Sequence, residues 1–494
     1  MAASQTKQPH FLLIPQPTQG HVIPLVDIAI MLAQRCVTMT IVTTPLNAER
    51  FMPTIVRARE SGLKINIEQL QLPFEAVGLP EGCENVDMLP SIDLSLNFFT
   101  ALGMLQQPVE ELFARLSPRP NCILSDFFLP WTAPIASKFG VPRITFTGFS
   151  CFAELCLHNI RSNSSFLKSI SSKYEYFRVP GLPGDDIEIA KAHLPQPPSP
   201  NLQVYLEQVL AAERTSYGMI LNTFEELESK YIKEFNKVRP NKKAWCIGPV
   251  SLSNKDTLNK VQRGNKSSID QHDCLNWLDL QKPGSVVYVC LGSLSNPTPA
   301  QLTELGLGLE ASKRPFIWVF KGDKSKAIEN WISEDGFEER VKGRGLLIRG
   351  WAPQILILSH PAIGGFLTHC GWNSILESIS AGVPLITWPL FGDQFLNEKL
   401  VVQVLRIGVS VGVKVPLQFG AEEKIGVVLK KQDIEKAINK LMDGEDSEAR
   451  EMRRRASEFG EESKKAIEEG GSSHINLTML IKDIMQQTNE EESS

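Results

Sequence analysis

The chain has 494 residues, of which 42% are hydrophobic and 22% charged, so it can bury more than one apolar core and is not an intrinsically disordered protein. Its 51 Lys and Arg residues against 56 Asp and Glu residues give a net charge of −5. This balance argues against a protein that holds nucleic acid or an anionic membrane through a broad positive surface. We therefore expect a small-molecule ligand.

The nine cysteines are scattered and odd in number, and their spacing fits neither a paired redox motif nor a zinc site. Free thiols in a reducing compartment are the simplest interpretation, and no metal site is predicted. The N-terminus lacks the apolar stretch of a signal peptide, and the first apolar run, residues 11–15, is too short to cross a bilayer. We expect a cytoplasmic monomer without stable membrane insertion.

Short apolar runs typical of buried strands alternate with amphipathic segments of helical length in both halves of the chain. In the first half we predict a helix at 23–34 and strands at 11–15, 39–43, 122–125 and 143–147. In the second half we predict strands at 286–291, 315–320, 346–348, 365–368 and 384–388. This alternation predicts two parallel sheets, each covered by helices.

Two irregular segments interrupt this alternation. Residues 254–270 are polar and lack apolar periodicity, which is typical of an interdomain linker. Residues 179–201 contain six prolines, and we predict a long surface loop there. The expected organisation is a first domain, a linker, a second domain, and a C-terminal helix and tail, at 1–250, 251–270, 271–475 and 476–494.

A nucleotide site is predicted in the second half. Residues 364–377 indicate a strand, a tight turn and a helix that begins near Asn373. The N-terminus of such a helix presents free backbone N–H groups to a diphosphate, and His369 and Ser374 can add side-chain donors. Glu377 lies one turn further along the same helix face, where its carboxylate can accept hydrogen bonds from a ribose diol.

Two neighbouring loops could complete that site. Trp351 begins one of them and offers a flat ring to a base, while Gln354 can contact the edge of the base. Asp393 and Gln394 follow the strand at 384–388 and can bind sugar hydroxyls. Each of these residues alone is more often part of a core, so the prediction depends on their combination.

The first half supplies a candidate general base. A turn at 16–20 follows the first strand, and His21 begins the next helix. We expect the helix start to keep His21 neutral and able to accept a proton. Asp126 follows the strand at 122–125, should reach the same sheet edge, and can orient the imidazole.

The 44-residue block at 351–394 closely resembles the signature box of plant secondary-product glycosyltransferases, the family 1 enzymes that use UDP-sugars on a GT-B fold. The resemblance extends over nearly the whole chain. It implies an α/β protein of two Rossmann-like domains whose parallel sheets face each other across a cleft. It also implies an inverting O-glycosyltransferase with a UDP-sugar as co-substrate and with no cofactor or metal.

The resemblance further implies a role for each matching residue. The nucleoside would be bound by Trp351, Ala352 and Gln354, with Trp351 stacked on uracil, the ribose by Glu377, and the diphosphate by His369, Asn373, Ser374 and Ser293. The sugar would be held by Trp372, Asp393 and Gln394, with a possible contact from Thr147. The family's general base and the acidic partner of that base correspond to His21 and Asp126.

Gln394 and Trp372 resemble the residues of glucose users, so UDP-glucose is the favoured donor and UDP-galactose or another UDP-sugar is the alternative. An apolar acceptor pocket is predicted from Phe98, Phe99, Phe127, Phe128 and Phe149. The resemblance to relatives that glucosylate triterpenoids, steroids and flavonoids favours triterpenoids, including sapogenins, and flavonoids as acceptors. A phytohormone or an already glycosylated acceptor remains open.

The sequence disfavours two other classes of function. Residues 306–311 match a dinucleotide fingerprint, but they lie inside the amphipathic run 299–312 rather than in a strand-to-helix turn, which disfavours a nucleotide-dependent dehydrogenase. A catalytically silent UDP-sugar binder is disfavoured by the presence of both His21 and Asp126.

Overall fold

The computed structural model describes residues 8–195, 199–240, 242–253, 257–321, 326–417 and 425–493. Its strands are β1 (His10–Ile14), β2 (Thr38–Thr43), β3 (Ile65–Gln69), β4 (Cys122–Asp126), β5 (Arg143–Thr147), β6 (Tyr176–Arg178), β7 (Glu188–Ala190), β8 (Gly218–Leu221), β9 (Lys243–Cys246), β10 (Val286–Cys290), β11 (Phe316–Phe320), β12 (Gly345–Arg349), β13 (Ile363–Thr368), β14 (Leu385–Thr387) and β15 (Gly408–Ser410).

The helices are α1 (Gln19–Ala33), α2 (Pro45–Glu60), α3 (Phe74–Val77), α4 (Ser95–Gly103), α5 (Gln106–Arg115), α6 (Thr132–Phe139), α7 (Cys151–Ser162), α8 (Pro200–Arg214), α9 (Glu225–Val238), α10 (Thr257–Val261), α11 (Gln271–Asp279), α12 (Pro299–Ala311), α13 (Lys326–Glu334), α14 (Phe337–Arg340), α15 (Gln354–Leu358), α16 (Trp372–Ser380), α17 (Gln394–Lys399), α18 (Lys431–Met442), α19 (Ser447–Ile467) and α20 (Ser472–Ser493). Short 3₁₀ helices lie at Val86–Met88, Ile92–Leu94, Ser164–Lys168, Lys191–His193 and Val250–Ser253, and a π-helix at Leu400–Leu405. Within the described ranges, no helix is both long enough and apolar enough to span a bilayer.

Two parallel sheets organise the molecule. The first has seven strands in the order β3-β2-β1-β4-β5-β8-β9, and the second has six in the order β12-β11-β10-β13-β14-β15. The strand order reverses between β1 and β4 in the first sheet and between β10 and β13 in the second. Ligands of open α/β sheets bind beyond the carboxyl ends of the strands at such reversals. The topology therefore gives each half one favoured binding edge.

The nine predicted strands are all present, with ends within two residues of those predicted. Burial explains this agreement, because a strand covered on both faces has a continuous apolar sequence that can be recognised without the structure. The first helix begins at Gln19, two residues before His21, where the sequence predicts its start, and the extended residue Thr18 occupies the N-cap position. As a result, His21 lies inside the first helical turn.

The prediction of a long surface loop at 179–201 is wrong for residues 188–193, which form β7 and a 3₁₀ helix, and for the start of α8, whereas residues 179–187 are irregular as expected. β6 and β7 form an antiparallel hairpin, with Phe177 paired to Ile189. Val179, Ile187 and Ile189 are buried, because these apolar side chains between the prolines pack into the core. α8 begins at Pro200, where Ser199 caps it by accepting the N–H of Leu202. Residues 196–198 of the predicted loop lie outside the described residues.

The predicted linker at 254–270 is partly helical, and its residues 254–256 lie outside the described part of the chain. After α10 the chain runs to α11, which begins at Gln271. Arg57 of α2 donates hydrogen bonds to Asn259 at 2.7 Å and to Gln262 at 2.5 Å. The segment is therefore attached to the first half of the molecule.

The C-terminal helix α20 returns to the first sheet. Leu477, Leu480 and Ile484 are buried in the cluster that includes residues of β1 and β2. Lys243 of β9 forms an ion pair of 2.9 Å with Asp483. The helix begins at Ser472, slightly before the predicted boundary at 476, and its residues 477–484 pack on the first domain.

Candidate functional site

The carboxyl ends of both sheets open on one cleft with a volume of about 1340 Å³. Most of the predicted site residues line it, from both halves of the chain: His21, Phe98, Phe99, Phe127, Phe128, Phe149, Ser293, Trp351, Ala352, Gln354, His369, Trp372, Asn373, Ser374, Glu377, Asp393 and Gln394. A volume of this size exceeds a typical single-ligand pocket, so the cleft can hold two small molecules side by side.

His21 and Asp126 form a hydrogen-bonded pair at the strand-order reversal of the first sheet. His21 Nδ1 lies 2.7 Å from Asp126 Oδ2, and because a carboxylate can only accept, Nδ1 carries the hydrogen. The other carboxylate oxygen accepts the backbone N–H of Phe128 at 2.9 Å. Asp126 is fully buried behind His21, which is 16% exposed. This arrangement leaves Nε2 of the imidazole as the proton acceptor.

Gly148 lies directly beside the imidazole. A Cβ atom at this position would lie 3.3 Å from Cε1 and 3.4 Å from Nε2 of His21. A larger side chain would therefore press on the edge of the ring that carries Cε1 and Nε2. The glycine keeps that edge accessible from the cleft.

The expectation that the helix start keeps His21 neutral is wrong in direction. Burial lowers the pKa of His21, but the charge and hydrogen bond of Asp126 and the charge of Asp393 raise it, and the net pKa lies above its ordinary value. The carboxylate at hydrogen-bond distance outweighs the weaker field of the helix terminus.

Thr147 does not belong to the cleft wall. It is 1% exposed, and its hydroxyl donates to the buried carboxylate of Glu154 at 2.7 Å. The Thr147 hydroxyl, for which a sugar contact was predicted, is therefore turned to Glu154 and does not line the cleft. The next two residues of the loop, Gly148 and Phe149, line the cleft instead.

An aromatic wall stands beside His21. Phe128 packs edge-on against the imidazole at 6.0 Å between ring centroids, and Phe149 packs edge-on against Phe128 at 6.4 Å. Phe99 stacks on Tyr205 at 4.7 Å, and the Tyr205 hydroxyl donates to the carbonyl of Phe128. Tyr205 of α8 was not predicted, because its sequence neighbourhood gives no sign that it reaches this wall.

Phe98 and Phe127 contribute less surface to this wall. Phe98 is fully buried and packs edge-on behind Phe99, while Phe127 is 9% exposed. Both side chains mainly support the exposed aromatic rings.

His369 is held between two glycines at the strand-order reversal of the second sheet. A Cβ atom at Gly292 or Gly371 would lie 2.5 Å or 2.4 Å from the His369 ring. Burial lowers the pKa of His369 to about 4, so the ring is neutral at physiological pH and has one N–H to donate. Ser293 follows Gly292 and lines the same part of the cleft.

Helix α16 begins at Trp372, as the sequence pattern around Asn373 predicts, and its first turn contacts the first domain. The Trp372 indole N–H donates to the Asn222 carbonyl at 2.7 Å. Asn373 donates to the carbonyl of Gly20 at 2.5 Å and accepts from the Asn222 side chain at 3.2 Å. The predicted diphosphate-binding site therefore lies where the two domains meet.

Gln354 links the Trp351 loop to α16. Its side-chain amide donates to Ser374 at 3.1 Å and to Glu377 Oε2 at 2.7 Å. Glu377 Oε1 accepts from Arg263, a residue that sequence reasoning placed in the linker and assigned no role. A sequence alone gives no signal for such a contact, because 114 residues separate the two partners.

Asp393 and Gln394 are both fixed by hydrogen bonds. Gln394 Oε1 accepts the backbone N–H groups of Leu390 at 2.8 Å and Phe391 at 3.0 Å. Asp393 accepts from Asn397 at 2.7 Å, and burial raises the pKa of Asp393 to about 7. Asn397 was not predicted, although its spacing of four residues from Asp393 on a helix is a usable signal.

No group of three His, Cys, Asp or Glu side chains that could hold a metal ion occurs in the part of the chain that the structure describes. The amphipathic run with the dinucleotide-like pattern forms the interior of α12, well past the end of β10. It therefore cannot supply a strand-to-helix phosphate turn.

The sequence and fold match known proteins. The family model described as UDP-glucoronosyl and UDP-glucosyl transferase matches residues 259–448. UDP-glycosyltransferase 73C25 of Barbarea vulgaris is 55% identical over 480 residues, which cover 97% of this chain and 96% of that protein.

Two solved structures are similar over almost the whole chain. UGT73P12 of Glycyrrhiza uralensis, complexed with glycyrrhetinic acid 3-O-monoglucuronide, matches with a TM-score of 0.89 and 37% identity over 99% of this chain and 98% of that one. UGT71G1 of Medicago truncatula, complexed with UDP-glucose, matches with a TM-score of 0.75 and 25% identity over 97% and 99%. The predicted GT-B arrangement of two Rossmann-like domains is confirmed.

Proposed function

Because this chain belongs to the plant UDP-glycosyltransferases, we propose that it transfers glucose from UDP-glucose to a hydroxyl group of a lipophilic secondary metabolite, with inversion to a β-glycoside. The observation that carries this proposal is the His21 and Asp126 pair, whose His21 lines the same cleft as the signature residues of the second domain while Asp126 lies buried behind it. In this scheme the domain at 1–250 binds the acceptor, the domain at 271–475 holds the UDP-sugar, and 251–270 joins them.

The reaction is a single displacement. His21 Nε2 takes the proton from the acceptor hydroxyl, whose oxygen forms a bond to the anomeric carbon as the bond from that carbon to the UDP oxygen breaks. Asp126 holds the imidazole in the required tautomer and stabilises the imidazolium that forms. UDP leaves with the electron pair of the broken bond, so an α-linked donor gives a β-linked product.

In this scheme the leaving diphosphate accepts hydrogen bonds from uncharged groups. The N-terminus of α16, with Asn373 and Ser374, supplies backbone and side-chain donors, and His369 and Ser293 add two more. Trp351 stacks on the uracil, and Ala352 and Gln354 contact the nucleoside. The carboxylate of Glu377 accepts from the ribose hydroxyls.

The sugar is held by Asp393, Gln394 and Trp372. Gln394 uses its oxygen for two backbone N–H groups, so its amino end is the part that donates to a sugar hydroxyl. The resemblance of Gln394 and Trp372 to the residues of glucose users supports glucose, as does the similarity to a protein complexed with UDP-glucose. Another UDP-sugar is the alternative, because a relative is complexed with UDP-L-rhamnose.

The acceptor class follows from the aromatic wall. Phe99, Phe128 and Phe149 present flat apolar surfaces beside the base, which suits a polycyclic aglycone. A similar protein is complexed with a triterpenoid that already carries a sugar, and another with quercetin. These relatives support a triterpenoid or a flavonoid as acceptor and keep an already glycosylated acceptor among the candidates.

We further propose that the enzyme acts as a monomer in the cytoplasm. All nine cysteines are free thiols, which suits a reducing compartment. Both substrate sites, and both His21 and Asp126, come from one chain, so catalysis needs no second copy of the protein.

The decisive experiment incubates the purified protein with labelled UDP-glucose and a panel of triterpenoid and flavonoid aglycones. Labelled glycoside is expected from the wild type, and His21→Ala should lower turnover by about 10²–10⁴-fold while the UDP Kd stays nearly unchanged. His272→Ala, at an exposed histidine at the start of α11, is the matched control and should retain full turnover. Near-normal turnover by His21→Ala would reject the proposed base.

A further inference from the structure

Arg263, from the segment between the domains, forms ion pairs with both halves of the molecule. Its Nε and Nη2 donate to Asp27 Oδ2 in α1, at 3.0 Å and 2.6 Å. Its Nη1 donates to Glu377 Oε1 in α16. One guanidinium group therefore bridges the first helix of the first domain and the signature helix of the second.

This ion triad is almost completely buried. The side chain of Arg263 is 11% exposed, and those of Asp27 and Glu377 are 3% and 6% exposed. Removing one member of a buried ion group leaves an uncompensated charge, which is costly. Without the guanidinium, two buried carboxylates would lose the cation that they share, so the orientation of Glu377 depends on Arg263.

The residues after Arg263 contact the predicted uracil-binding residue as well. A Cβ atom at Gly264 would lie 2.5 Å from Cζ2 of Trp351, and Gly264 has a φ of +91°, a conformation that favours glycine. Ser268 accepts the backbone N–H of Trp351 through its hydroxyl at 2.9 Å, and its own N–H donates to the Trp351 carbonyl at 2.8 Å. The segment therefore touches both the base site and the ribose site.

We propose that Arg263 is a positioning residue for the donor. It holds the Glu377 carboxylate in the orientation that accepts the ribose hydroxyls of the UDP-sugar, and it links this orientation to α1 of the first domain. This inference rests on the proposed role of Glu377. Arg263 occupies Oε1 and Gln354 occupies Oε2, and each oxygen keeps a further lone pair that can accept a ribose hydroxyl. With Arg263 removed, the carboxylate keeps only the contact with Gln354 and loses the charged partner that fixes its second oxygen.

The test measures the Kd values of UDP and 2′-deoxy-UDP by calorimetry. A hydrogen bond from the 2′-hydroxyl to a carboxylate predicts that the wild type binds UDP at least about tenfold more tightly than the deoxy analogue. Glu377→Ala should abolish this preference, and Arg263→Met should reduce it to about twofold or less. Arg57→Met is the matched control, because Arg57 contacts the same segment at Asn259 and Gln262 but not Glu377. It should keep the full preference.

The outcomes separate the two proposals. If Arg263→Met weakens both nucleotides equally while Glu377→Ala removes the preference, Arg263 has only a structural role and the inference is overturned, although Glu377 keeps its role. If Glu377→Ala keeps the preference, the ribose role of Glu377 fails and the inference fails with it. Should Arg263→Met not fold, Arg263→Lys replaces it: lysine keeps the charge but lacks the fork that bridges both carboxylates, and it too should reduce the preference.

Discussion

Three titratable side chains near the reacting centre influence one another. Burial and the charges of Asp126 and Asp393 act on the pKa of His21 in opposite directions, with a net rise. Burial raises the pKa of Asp393 to about 7, and the charge of His21 lowers it in part. The charges of His21 and Asp393 therefore act on the pKa of each other, and both shifts bear on the pH dependence of activity.

We expect the acid limb of the kcat/KM profile to lie above pH 6.5, the ordinary pKa of histidine. The base works only when it is neutral, and a raised pKa means that His21 becomes protonated, and activity falls, at a higher pH than for an isolated imidazole. Asp126→Asn removes the charge that raises the pKa, so the limb should move to lower pH while the plateau rate drops because the tautomer is no longer fixed. An acid limb that stays in place in Asp126→Asn would contradict this account.

At the residue scale, the sequence predicted which side chains come together better than it predicted their protonation. Asp126 ends β4 and His21 follows the neighbouring strand β1, so the parallel pairing of these strands brings both residues to one edge of the sheet. Whether His21 is neutral depends on the 2.7 Å separation from Asp126 and on Asp393, which lies in the other half of the chain. These separations are set by the tertiary structure and cannot be predicted from the local sequence pattern.

Nine of the fifteen strands in the described residues were predicted from their own pattern, but the packing partners of the elements were not. The amphipathic spacing of the last segment shows that the helix has an apolar face. It does not show that this face covers the first sheet, where Leu477, Leu480 and Ile484 are buried, rather than the second sheet that precedes it. The hairpin of β6 and β7 was missed for the related reason that each strand has only three residues.

The packing of α20 on the first domain predicts that two neighbouring substitutions differ markedly in their effect on the free energy of unfolding. Leu480→Ala should lower the free energy of unfolding by about 2–5 kcal/mol, because it empties a fully buried site between the helix and the first domain. Met479→Ala should change it by less than about 0.5 kcal/mol, since that side chain is 51% exposed. Urea denaturation monitored by tryptophan fluorescence would measure both. Equal effects would show that the helix does not pack as described.

For the whole molecule, alternating strands and helices were sufficient to predict two parallel sheets, whereas their face-to-face arrangement came only from the family resemblance. The contacts that join the two halves are made between residues far apart in the sequence. Trp372 donates to the carbonyl of Asn222, and Ser150 donates to Asn397 at 2.9 Å. Each of these pairs links a loop of one sheet to a helix of the other, so neither sequence segment reveals it alone.

This facing arrangement predicts sequential kinetics. The aromatic wall and His21 lie on one side of the cleft and the nucleotide residues on the other, so acceptor and donor must be bound together before the sugar moves. Initial rates measured with both substrates varied should give intersecting double-reciprocal lines, and the anomeric proton of the product should have the NMR coupling of a β-glucoside. Added UDP should compete with UDP-glucose for the same site. Parallel lines, together with an α-linked product, would instead require a covalent glycosyl-enzyme intermediate, which His21 acting as a base does not form.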